Sequence, residues 1–169
     1  MKKIQFSRFG PAAEVLECVE APDPRLSEAD EVAIDMMYMP LNPSDIMMTA
    51  GVYGGAPPPL PCDMGREGVG RVVAVGSEVS GFDIGDLVVS FTGPTWQSKI
   101  VRKPDALIPL PAGIDVRQAA MLRSGPATAG LMLRDYVDLK SGDWAIQNVG
   151  NSAVGTCFAQ LAGARGIRT

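Results

Sequence analysis

The chain has 169 residues, 46% hydrophobic and 20% charged, the balance of a folded globular protein and not of a disordered one. Its net charge of −4 offers no clustered basic face to a polyphosphate backbone, which argues against a nucleic-acid partner. Histidine is absent, so Ser-His-Asp relays, HExxH zinc sites and imidazole proton shuttles are all excluded. The three cysteines, Cys18, Cys62 and Cys157, are scattered and fit neither a disulfide framework nor a CxxC site. MKKIQFSRFG has no apolar stretch behind its lysines and no window approaches a membrane span, so a cytoplasmic location and no membrane partner are expected.

In chain order, KKIQF, VLECV, EVAIDMMYM, GVGRVVAVG, DLVVSF, QSKIVR and ALIPL are β-branched or alternating runs of strand length, parted by Gly/Pro turns. Strands in succession without intervening helices predict an antiparallel, partly closed barrel or sandwich. One short helix is expected at SDIMMT, capped by Ser44 or Asp45. Near residue 112 the period changes. Asp115 with Gln118 makes a capping-box-like start for DVRQAAML, and TAGLMLRDYV fits a second helix. WAIQNV then predicts a strand with apolar residues on both faces, followed by GNSAVG and a helix-like run. The domain boundary is expected between 112 and 125, with one domain over 1–115 and another beginning at 116–169.

Strand, glycine turn and helix form the first half of a βαβ unit. In GxGxxG the glycines allow the tight turn, the approach of pyrophosphate and close helix packing. Here the pattern falls on Gly150, Ser152 and Gly155, with the middle glycine replaced. Serine brings a small side chain and a hydroxyl, while its Cβ crowds a phosphate. The candidate phosphate contacts are therefore Gly150, Asn151, Ser152, Ala153, Val154 and Gly155; the other reading is a glycine-rich turn with no ligand. The residue that reads the ribose 2′ position is expected ~20 residues beyond the turn, past Thr169.

LNPSDIMMTAGVYG, GREGVGRVVAVGSEVSGFDIGDLVV, TWQSKIV, GPATAGLML and GDWAIQNVGNSAVG together resemble the medium-chain dehydrogenase/reductase superfamily. Within it the chain is most similar to the zinc-independent 2-enoyl thioester reductases, on NPSDI, GVY, TW and the IQN of WAIQNVGN, with the quinone oxidoreductases next. The resemblance implies a mainly β, GroES-like domain of partly closed barrel form, leading into the first β-α unit of an α/β Rossmann domain. It further implies NADPH as cofactor, with an acyl thioester or a quinone as substrate; a homo-oligomer is left open. Zinc-dependent members have a cysteine where Pro43 stands and GHE where this chain has Gly65, Arg66 and Glu67. Enoyl reductases have asparagine where Gly125 precedes Pro126.

Reduction of a 2-enoyl thioester builds negative charge on the thioester oxygen, which without a metal must be met by hydrogen-bond donors. The resemblance assigns that role to Tyr53 in GVYGG, where glycines permit unusual backbone angles; the alternative is an aromatic on an exposed loop. Trp96 lines the substrate side or belongs to the core. Asn42 bonds near the nicotinamide or forms an Asx turn before Pro43. Thr128 stands beside the cofactor or is an early helix residue. Arg66 and Glu67 are an internal ion pair or a solvated turn. The methionines, Met36, Met37, Met39, Met47 and Met48 among them, suit a compliant apolar wall or simple core filling.

Because the nucleotide fold only begins, the sequence also predicts an incomplete member of the family, with little turnover and a tail that is mobile, dimerised or prone to aggregate. A catalytically silent module is the third reading beside reductase and quinone oxidoreductase.

Overall fold

Strand β3 (Val32–Tyr38) organises the larger sheet, because its alternate residues Val32 and Ile34 are both buried and it finds a partner on each side. The computed structural model describes Met1–Thr169. β3 pairs antiparallel with β5 (Gly68–Val75) and with β7 (Lys99–Arg102), which sets Val72 and Ile100 on either side of Ile34. β6 (Leu87–Ser90) and β8 (Leu107–Pro109) extend the sheet to the order β7-β3-β5-β6-β8. Val32, Ile34, Val72, Val88, Ile100 and Leu107 form its core. Each such side chain contributes roughly 1.5–3 kcal/mol on burial.

A second sheet has three strands in the order β2-β1-β4. β1 (Lys2–Phe6) pairs with β2 (Leu16–Glu20) and with the short β4 (Cys62–Asp63), and α1 (Ala12–Val15) lies between the first two. Phe6, Val15 and Met64 make a separate small core, against which Trp96 packs. Both sheets are antiparallel, and neither closes into a barrel.

The expected helix at SDIMMT is α2 (Pro43–Thr49), but its N-cap is Asn42, not Ser44 or Asp45. Asp45 occupies the third helical position and accepts from the Asn42 backbone N–H at 2.8 Å. This is the reach-back half of a capping box. Proline, needing no donor, suits the first helical position. Asp115 caps α3 (Val116–Ala119), accepting from the N–H groups of Arg117 and Gln118 at 2.8 and 3.4 Å.

The chain divides into two compact units, Met1–Ala120 and Met121–Thr169. The second holds α4 (Thr128–Asp135), preceded by a wide turn over Arg123–Ala127, and α5 (Ala153–Ala164). Ala129, Leu133, Phe158, Ala162 and Ile167 are its core. WAIQNV, expected as a strand, makes only a single parallel bridge, Trp144 with Arg168. There the Ala145 N–H reaches the Arg168 carbonyl and the Arg168 N–H the Asp143 carbonyl, both at 2.9 Å. A parallel strand forms only beside a neighbour of similar length, and here the neighbouring segment pairs at one residue, leaving Ile146 98% exposed. The bridge does join the segments on either side of α5 in parallel, the connectivity of a βαβ unit. No helix is long and apolar enough to cross a membrane.

Candidate active site

The polar centre of the first unit grows from Gly65, Arg66 and Glu67, just before β5. Gly65 has φ +91° and lies so tightly under the next segment that a Cβ would fall 2.5 Å from Trp96 N and 2.6 Å from Thr95 Oγ1. Only glycine meets both conditions. Beyond it, Glu67 is 1% exposed. Its backbone carbonyl accepts from Thr95 Oγ1 at 2.8 Å, and its Oε1 accepts from Asn42 Nδ2 at 3.1 Å. Asn42 is thereby committed twice, by backbone to Asp45 and by side-chain amide to Glu67.

Asp45 is fully buried; Oδ2 is bonded to Asn42, while Oδ1 has no partner. Burial pushes its carboxyl above the usual carboxylate range. The Asn42 N–H and the charge of Arg66 oppose that rise, and the charge of Glu67 adds to it. The ion-pair-or-turn reading of Arg66 and Glu67 thus understates both residues. Glu67 fixes Asn42, and the Arg66 guanidinium carbon lies 5.4 Å from the centroid of the Tyr53 ring. Two adjacent residues of one segment touch two of the sequence's candidates.

Tyr53 is 36% exposed, on the loop after α2, where Gly51, Gly54 and Gly55 all have positive φ (74°, 82° and 91°). Its phenol oxygen bonds to nothing in the chain and remains free to donate. Trp96 packs on the Phe6 core, the second of its two readings, and donates from Nε1 to the Pro40 carbonyl at 3.0 Å. It also lines a cavity of about 450 Å³ with Met36, Met39, Leu41 and Gln97.

In the second unit, Ser152 is the N-cap of α5. Its Oγ accepts from the Gly155 N–H at 3.0 Å, so the hydroxyl works as an acceptor for the helix. The N–H groups of Ala153 and Val154, in the first turn, have no intrahelical partner. A Cβ on Gly155 would lie 2.7 Å from the Val149 carbonyl oxygen and 2.8 Å from Gly150 Cα, the close packing expected of the third glycine. Gly150 itself is not at positive φ; the left-handed residue is Val149, at φ 52°. Gln147 Nε2 donates to the Gly155 carbonyl at 3.1 Å and ties the turn together. Thr128 begins α4 and lines a cavity of about 570 Å³ with Met132, Tyr136 and Phe158. Gly125 packs on the start of α5, where a Cβ would stand 3.1 Å from the Ala153 carbonyl oxygen. A side chain there would need α5 to give by a few tenths of an ångström.

Asp45, Arg66, Glu67 and Gln147 were not among the site residues chosen from sequence. The available signal was the placing of two charged residues, Arg66 and Glu67, amid glycines directly before a buried strand, where a charge needs a partner. No group of three or more Cys, Asp or Glu side chains converges.

An antiparallel β unit that leads into a glycine turn, a capped helix and a parallel bridge defines the class: a GroES-like domain followed by the opening of an α/β unit. Residues 28–111 match the model of the alcohol dehydrogenase GroES-like domain. This match, the enoyl reductase relatives and the quinone oxidoreductase structures together support the medium-chain dehydrogenase/reductase superfamily. The chain is 40% identical over 171 residues to the human mitochondrial enoyl-[acyl-carrier-protein] reductase, covering 100% of this chain and 45% of that one. A mitochondrial 2-enoyl thioester reductase heterodimer from Candida tropicalis shares 30% identity at a TM-score of 0.82, covering 98% of this chain and 52% of that one. The Escherichia coli quinone oxidoreductase, solved with NADPH, shares 29% at 0.87, covering 99% and 51%. The chain spans about half the length of the curated relatives it matches.

Proposed function

We propose that the protein represented by this chain reduces the C=C bond of 2-enoyl thioesters with NADPH, without a metal. Residues 1–115 are the catalytic domain and 116–169 the start of the nucleotide domain. The observation that carries the reading is Tyr53, a phenol with an uncommitted hydroxyl, held by the ring on the loop that follows NPSD.

The glycine turn fits a dinucleotide. The N–H groups of Ala153 and Val154 are open at the positive end of α5, and Gly155 leaves no side chain in the way. Gly150, Asn151 and Ser152 supply the turn that presents them, and Thr128 belongs to the same unit. When bound, NADPH supplies the hydride. Tyr53 donates a hydrogen bond to the thioester oxygen as it gains charge, the task a metal performs in other members. Asn42, held by Glu67, is the candidate contact beside the nicotinamide. Trp96 and the methionines of its cavity form an apolar wall for substrate.

A quinone acceptor is the second reading, favoured by the backbone overlap with the Escherichia coli enzyme. The test is NADPH oxidation with a short 2-enoyl-CoA and with a benzoquinone, using this chain joined to the C-terminal half of an enoyl reductase relative. Enoyl turnover that Tyr53→Phe abolishes supports the first reading. Quinone turnover alone, indifferent to Tyr53→Phe, replaces it with the second. Self-association of the chain and a role in fatty-acid metabolism belong to the same proposal. So does a cytoplasmic setting, which fractionation checks against the mitochondrial names of the relatives.

A further inference from the structure

We infer that Arg66 is a positioning residue for Tyr53: its guanidinium, standing over the ring, fixes the face and direction in which the phenol is presented. The inference rests on the reading of Tyr53 as the donor and extends it to the group that aims it.

Tyr53 has little else to hold it. Its loop carries three left-handed glycines, its neighbour Val52 is 67% exposed, and its hydroxyl has no partner in the chain. The one specific attachment of the side chain is the guanidinium, 5.4 Å from the ring centroid. Arg66, in contrast, stands on backbone that is fixed on both sides. Gly65 is locked under Thr95 and Trp96 before it, and buried Glu67, tied to Thr95 and Asn42, follows it. A side chain leaving rigid backbone thus spans to a ring on pliant backbone. A planar, always-charged guanidinium stacks on a ring face as an ammonium does not, so lysine is a poor substitute. Contacts of this class change a docked population by roughly threefold to thirtyfold.

The test uses the 169-residue chain with 3-fluorotyrosine at its three tyrosines, the fluorine signals assigned by single Tyr→Phe variants. Arg66→Met is expected to move the Tyr53 resonance toward that of free fluorotyrosine and leave Tyr136 unmoved. In unlabelled chain it should speed nitration of Tyr53 by roughly threefold to thirtyfold. Arg66→Lys should restore part of both effects. Tyr38, with Arg117 at 5.9 Å from its ring, is the internal control and should respond only to Arg117→Met. An unchanged Tyr53 signal and nitration rate in a folded Arg66→Met chain would overturn the inference. Should that variant not fold, nuclear Overhauser contacts between Arg66 side-chain protons and the Tyr53 ring in the unaltered chain decide it: present supports, absent refutes. These readouts involve no turnover. If they hold while Tyr53→Phe remains fully active in enoyl reduction, the functional reading alone has failed.

Discussion

The hydroxyl of Ser152 accepts the backbone N–H of Gly155 at 3.0 Å, so the residue that interrupts the glycine fingerprint is also the one that starts the helix. One first-turn donor is spent on the cap, and two, at Ala153 and Val154, stay open.

Removing the cap should therefore loosen α5 locally. Ser152→Ala is expected to cost about 1 kcal/mol, and Ser152→Gly only a few tenths, because glycine is itself tolerated at an N-cap. Amide exchange at Gly155 reports this directly. Faster exchange in the alanine variant and a near-normal rate in the glycine variant are expected; equal rates in all three proteins contradict the assignment.

Val149 holds a left-handed conformation that a β-branched residue adopts at a cost of about 1–2 kcal/mol, and it is 65% exposed, so little packing is lost on replacement. Val149→Gly should slow exchange at the Ser152 amide, which donates to the Val149 carbonyl at 3.0 Å. The net gain is up to about 1 kcal/mol after the added flexibility of glycine is counted.

Gly65→Ala should be among the most damaging single-methyl changes in the first unit. The new Cβ meets backbone and the Trp96 ring at 2.5 Å, and φ +91° adds strain. A loss on the order of 3 kcal/mol is expected in urea titration, with a red shift of Trp96 emission as its packing loosens.

Asp45 gives the first unit a pH signature. Its carboxyl holds a proton more tightly folded than unfolded, so its contribution to stability is greatest when protonated. That contribution declines as pH rises from the ordinary carboxylate range through the raised value. Asp45→Asn stays neutral and keeps an acceptor for the Asn42 N–H. It should melt higher than the parent at neutral pH and level with it in acid. A variant less stable than its parent at neutral pH would show that the attraction of Arg66 outweighs desolvation.

Much of the fold was legible in the chain. The strand-length runs around Val32–Tyr38, Gly68–Val75 and Leu87–Ser90 became strands because their β-branched residues pack best on a pleated surface. Asp115 capped its helix as its spacing implied, a contact made within three residues. WAIQNV misled for the opposite reason: its composition is that of a buried parallel strand, but a strand exists only as a partner of another, and pairing is not a property of six residues. The helix after NPSD was visible, while its cap was placed two or three residues late, since a proline at the first helical position moves the cap to the residue before it.

By itself the sequence determined the succession of strands and helices, the absence of imidazole chemistry, and the glycine turn with its interrupted centre. These depend on local backbone preference and on residue inventory, both carried by neighbours along the chain. Only the tertiary structure decided that Arg66 lies over Tyr53, that Glu67 secures Asn42 from 25 residues away, and that Asp45 is sealed with one oxygen unpaired. Such contacts arise from long-range burial, where the cost of removing a charge from water forces it to find partners that no stretch of sequence encodes.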